Sequence, residues 1–181
     1  RRAKSDYAVT GADSQGAAPG DVVLAEVVDG RKMGLKQARV RELVGPMSDP
    51  RTFSLISLKS HGIRNIFPDT ALTEAENAVA TGLGDRTDLR DIPLITIDPP
   101  DARDHDDAVW AEADDDPKNP GGWKVLVAIA DVAAYVKTDS ALDREALLRG
   151  NSTYFPDRVV PMLPEALSAG LCSLVPDLDR A

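Results

Sequence analysis

Apolar and polar positions along this chain alternate in blocks. The block DVVLAEVV (21–28) is dense in β-branched residues and predicts a strand, with DGRK (29–32) as a turn after it. MGLKQARVRELVG (33–45) continues as a further strand pair, although KQARVREL alone also fits a helix. GPMSDP (45–50) breaks the pattern as a linker. Ser48 then caps a helix that starts at Asp49 or Pro50 and ends near Gly62, with Phe53, Ile56 and Leu58 as its anchors. After the FPDT turn (67–70) a second helix is expected over Ala71–Ala80, and TGLGDRTD (81–88) reads as loop.

From Ile92 strands and helices mix. A strand is expected at 94–98, then an acidic loop, then a strand at about 108–113. DDDPKNPGG (114–122) is a turn-rich insertion. WKVLVAIADV (123–132) is so continuously apolar that it predicts a central strand buried on both faces. SALDREALLRG (140–150) is a helix with Ser140 and Asp143 at capping-box spacing and Gly150 as its stop. PEALSAGL (164–171) is a short helix with Pro164 in first place. The fold class is α+β, and no internal repeat is present.

Composition and charge sharpen this picture. The 181 residues, 43% hydrophobic, suit one or two domains with a real core. The net charge of -9 is uneven: residues 1–45 hold eight Lys/Arg against six Asp/Glu, and the remainder is strongly acidic. Arg31, Lys32, Lys36, Arg39 and Arg41 make a basic patch, read either as a solvated face or as a phosphate contact on a small β-barrel. The single cysteine, Cys172, excludes an intrachain disulfide, reads as a buried thiol, and favours a reducing, cytoplasmic setting. No apolar run approaches the roughly 18 residues of a membrane span, so no membrane partner is expected. The polar start, RRAKSDY, has neither a signal-peptide core nor an initiator Met, which suggests a fragment.

The stretch TIDPPDARDHDDAV (96–109) places Asp98, Asp101, Asp104, Asp106 and Asp107 around one arginine. Two carboxylates about 4 Å apart repel by roughly 4 kcal/mol at an effective dielectric near 20, and about fourfold less in water. Such a loop is therefore either solvated or gathered around a cation. Oxygen donors without paired His or Cys favour Mg²⁺, Mn²⁺ or Ca²⁺ over Zn²⁺. An EF-hand fails, because Arg103 or Val109 falls where its glycine belongs. Mg²⁺, which keeps its waters and needs few carboxylates, suits the loop better. In an extended segment Asp104 and Asp106 share a face and Asp107 points away, so convergence requires the loop to coil after Pro99 and Pro100.

IDPPDARDHDDAV resembles the signature that opens the catalytic domain of the ribonuclease II/ribonuclease R family, a D-x₅-D-x-D-D array matched by Asp98, Asp104, Asp106 and Asp107. The likeness continues through VAIADVAAYV, SALDREALLRGNSTYFPDRVVPMLPE and LSAGLCSL, and the STYFPDRVVPMLP run is nearer ribonuclease R. It implies residues 1–47 as the end of a cold-shock (OB) β-barrel, 48–89 as a helical connector, and 90–181 as the first part of the catalytic domain. The remainder of that domain and an S1 domain are expected in the parent chain, and this fragment alone is expected to be inactive. The implied activity is processive 3′→5′ hydrolysis of single-stranded RNA to nucleoside 5′-monophosphates with Mg²⁺, or Mn²⁺ in its place. Asp98, Asp104 and Asp107 are implied metal ligands. Asp106 is implied as the aspartate most tied to catalysis, through a second metal ion. Tyr154, which taken alone reads as core packing, is implied to stack on the 3′-terminal nucleotide, while Phe155 stays a packing residue. The alternative is a remnant of the same fold that binds RNA or protein without catalysis.

Overall fold

A computed structural model describes residues 6–181. They form two compact units, one comprising the chain up to Asn65 together with Tyr154–Val159, the other Ile66–Thr153 together with Val160–Ala181. The boundary between the two units falls within 48–89, after Asn65.

The first unit is built on β1 (Tyr7–Ala8), β2 (Asp21–Lys32) and β3 (Leu35–Pro46), in the order β1-β3-β2. β3 runs antiparallel to β2 and parallel to β1. The expected turn at 29–32 lies instead at Met33–Gly34, both with positive φ (51° and 82°), the requirement of a tight two-residue hairpin loop. Asp29 and Gly30 form a bulge inside β2, and 33–45 holds one long strand rather than a strand pair. Along β3 the faces alternate as a half-buried strand demands. Ala38 and Val40 are buried, while Arg39 pairs with Asp13 at 2.6 Å and Arg41 with Glu26. Two members of the basic patch are thus already neutralised.

α1 (Arg51–His61) packs on β3. Ser48 does not cap it. Pro50 occupies the cap position, and the Asp49 carboxylate takes the Arg51 amide hydrogen at 2.9 Å. Gly62 ends the helix in the left-handed conformation, as predicted. Leu58 is buried, but so are Thr52 and Ser54, because Thr52 Oγ1 donates to Pro46 O at 2.8 Å and Ser54 Oγ donates to Asp157. Phe53 is exposed instead, lining a shallow groove with Pro50, Phe155 and Pro156.

In the second unit α2 (Asp69–Glu76) is shorter than expected and packs against α4 (Ala141–Arg149). Ala71, Ala75, Ala141, Leu142, Leu163, Leu167 and Cys172 form its core. Ser140 Oγ accepts from Asp143 N at 3.1 Å and Gly150 stops α4, as its sequence predicts. β4 (Asp107–Ala113) and β5 (Trp123–Ile129) pair antiparallel over seven residues, from Asp107↔Ile129 to Ala113↔Trp123. The strand expected at 94–98 is reduced to one bridge, Ile95↔Val109. β5 is not buried on both faces: Trp123, Val125, Val127 and Ile129 are all at least 60% exposed. A one-turn helix, α3 (Val132–Tyr135), follows β5, and the hairpin of β6 (Thr153–Phe155) and β7 (Arg158–Val160) that follows α4 counts, over Tyr154–Val159, with the first unit. The helix expected at 164–171 is a π-helical turn, Ala166–Leu171, leading to buried Cys172.

Candidate active site

The acidic loop lies wholly in the second unit, between the Ile95 bridge and the first residue of β4. Its backbone turns after the two prolines, with Ala102 N donating to Pro99 O at 3.0 Å. At the far end, Asp106 O accepts from Ala130 N at 3.1 Å, and Asp107 begins the β4–β5 ladder. The loop is therefore held at its far end by sheet hydrogen bonds, with one turn at Pro99–Ala102.

Asp98 and His105 are bound to each other, with Oδ2 and Nδ1 2.7 Å apart and both side chains mostly covered. Thr96 Oγ1 sits 3.5 Å from the same nitrogen. His105, and after it Thr96, hold the Asp98 carboxyl below the usual aspartate range. Asp106 goes the other way. Loss of water around its carboxylate pushes it up, followed by the charges of Asp104, Asp107 and Asp98. The residue as a whole remains exposed, so desolvation is confined to part of the side chain. The four aspartates singled out from sequence are thus brought into one electrostatic neighbourhood centred on Asp106.

That neighbourhood fits a hard divalent cation in charge and in donor type, since a cation would relieve the repulsion that Asp106 bears. Among the described residues, however, no three His, Cys, Asp or Glu side chains are grouped so as to hold a metal ion. Tyr154 lies on β6 with 65% of its surface exposed, an open ring rather than a core residue. It counts with the first unit, the aspartates with the second.

Two contributors escaped the sequence. His105, a lone histidine inside the acidic loop, is the partner of Asp98. Ser173, within the LSAGLCSL run, is completely buried and hydrogen-bonded to the loop backbone.

Residues 86–181, more than half of the chain, match the RNB domain. The chain belongs to the RNB-domain family. Residues 1–68 match the cold shock domain, so the α+β fold joins a cold-shock segment to an RNB segment. Ribonuclease R of Acidithiobacillus ferrooxidans is 46% identical over 189 residues, covering 99% of this chain and 42% of the relative. Ribonuclease R of Escherichia coli is 44% identical over 170 residues, covering 91% of this chain and 20% of the relative. The chain spans 42% or less of the length of these curated relatives. Among solved structures, Mycoplasma genitalium RNase R in complex with double-stranded RNA superposes with a TM-score of 0.82 at 29% identity, over 96% of this chain and 31% of that one. The same enzyme with ribose-methylated single-stranded RNA gives the same TM-score over 27% of its length. In this RNB chain the acidic loop falls just inside the matched domain, at the entrance to its first long strand pair.

Proposed function

We propose that the protein carrying this chain is a divalent-metal-dependent exoribonuclease. It degrades single-stranded RNA processively from the 3′ end and releases nucleoside 5′-monophosphates. The observation that supports this reading is the electrostatic neighbourhood of Asp106, where loss of water and then the charges of three further carboxylates of the RNB segment raise its affinity for a proton and create a demand for positive charge. Asp98, Asp104 and Asp107 would hold Mg²⁺, or Mn²⁺ in its place, with Asp106 sharing in it. When bound, the cation supplies activation of the attacking water and neutralisation of charge building on the phosphodiester.

The chain's own residues have distinct tasks. His105 keeps Asp98 ionised and directed by the 2.7 Å contact. Asp106 is the group whose charge counts most in the transition state. The exposed Tyr154 ring offers a stacking platform for the terminal base, worth about 1–3 kcal/mol per base. The lone, buried Cys172 supports a reducing, cytoplasmic setting.

The test is an incubation of the full-length protein with 5′-labelled single-stranded RNA and Mg²⁺. Progressive shortening from the 3′ end, with nucleoside 5′-monophosphates as products and arrest by a chelator, is the expected result. Internal cuts would refute the exonuclease reading. Binding of the RNA with no release of nucleotide would replace it with a non-catalytic RNA-binding role.

A further inference from the structure

Ser173 has no exposed surface, yet its hydroxyl is engaged in both directions. Oγ donates to Arg103 O at 2.9 Å and accepts from His105 N at 3.1 Å, across sequence separations of 70 and 68 residues. The next amide, Leu174 N, donates to His105 O at 2.9 Å. Three hydrogen bonds therefore grip the backbone on either side of Asp104. His105, held in this way, in turn carries Asp98 through its ring nitrogen.

Ser173 is itself held. Its amide donates to Gly170 O at 3.2 Å at the end of the π-helical turn, and its carbonyl accepts from Arg180 Nε at 2.9 Å. A hydroxyl is the smallest group that can donate and accept at once. An alanine here would orphan one carbonyl and one amide in a place closed to water, and the loop would have to move to satisfy them.

We infer that Ser173 is a positioning residue for the acidic array: it sets the backbone of 103–105 and, through it, the directions of Asp104 and Asp98. This rests on the reading of the array as the metal-binding catalytic site. Groups that orient metal ligands typically change metal affinity or activity by about 10–100-fold when removed. A residue that served the core alone would instead loosen the whole unit.

The test compares Ser173→Ala with wild type in the full-length protein, by three readouts. In metal-free protein, hydrogen exchange at the His105 amide is expected to speed up by about tenfold or more, while the Leu126 and Ala128 amides of β5, which bond into the β4–β5 ladder, keep their rates. Calorimetry with Mn²⁺ alone is expected to show affinity reduced by at least about tenfold. With single-stranded RNA, kcat should fall by about 10–100-fold while KM stays within about threefold. Should the alanine variant fail to fold, Ser173→Cys, which fills the site with a slightly larger thiol and weakens both hydrogen bonds, carries the same three measurements. Unchanged His105 exchange together with wild-type Mn²⁺ affinity would overturn the assignment, and so would faster exchange spread evenly over β5. A wild-type protein that cleaves no RNA would count against the proposed function, while the exchange and Mn²⁺ measurements would still decide the role of Ser173.

Discussion

The carboxylate of Glu74 takes the Leu142 amide hydrogen at 2.9 Å, and its second oxygen takes that of Ala141 at the same distance. A side chain of α2 thereby satisfies two of the amides that the first turn of α4 leaves open, in addition to the local Ser140 cap. These two amides, Leu142 first, lower the Glu74 carboxyl below its usual range. A lowered carboxylate contributes stability above its unfolded pKa and loses it as pH falls through the lowered value. Glu74→Gln should therefore melt below wild type at pH 7, and the gap should close below about pH 4. Thermal melts over a pH series check this, and a gap that is constant with pH would show that charge is not the cause.

Inside α4, Glu145 and Arg149 pair at 2.9 Å with side chains only 4% and 3% exposed. The Arg149 guanidinium also lies over the Phe67 ring, 3.5 Å from its centroid, and donates to Pro161 O. Glu145→Gln strands a buried cation and should cost about 3–5 kcal/mol in denaturant unfolding. The double change Glu145→Leu, Arg149→Met should cost less than that single change, because no charge is left behind.

Asp106 sets stability against chemistry. Its raised carboxyl opposes folding at neutral pH, a penalty that disappears as pH falls through the raised value. In chelator at pH 7, Asp106→Asn should melt above wild type, and the difference should shrink on acidification. The same change should lower RNA hydrolysis by a few orders of magnitude, equivalent to several kcal/mol of barrier. RNA affinity should move less than about tenfold, since stacking and basic groups supply it. Single-turnover cleavage beside a binding titration separates the two effects.

The outer row of β5 gives a further expectation. Trp123, Val125, Val127 and Ile129 recur at every second residue with 60–71% exposure. Residues 1–181 expressed alone should bind an apolar dye and self-associate in a concentration-dependent way. Val125→Thr with Val127→Thr keeps strand propensity and should reduce both signals. Sedimentation and dye fluorescence measure them, and a wild-type chain that is monomeric and dye-silent would contradict the expectation.

What could be read from sequence was mostly local. Ser140, Asp143 and Gly150 announce α4 because caps act within a few residues, and Gly62 does the same for the end of α1. The aspartate spacing marks a candidate loop because mutual repulsion is itself a local fact. Features that depend on partners far along the chain could not be read. An apolar run such as 123–129 reports the strand but not how many elements cover it. Nothing in 94–98 shows that only Ile95 finds a strand partner. Phe53 reads as an anchor because it is apolar, yet it is exposed, while Thr52 and Ser54 are buried through hydrogen bonds to Pro46 and Asp157. The grip of Ser173 on Arg103 and His105 spans about 70 residues and has no periodic signal.

The pairing of Asp107 with Ile129 makes the sheet a ruler for the acids. A ladder of seven partners ends where the array begins, and strand side chains reverse direction at every step. Deleting one residue within β4 or β5 would exchange the directions of neighbouring aspartates even if every hydrogen bond re-formed. The 114–122 turn lies at the opposite end of the ladder, closed by Asp114 N donating to Gly122 O at 2.9 Å. Length changes are therefore harmless in that turn and ruinous within the strands, so natural variants of this chain should gather their insertions and deletions between Asp114 and Gly122.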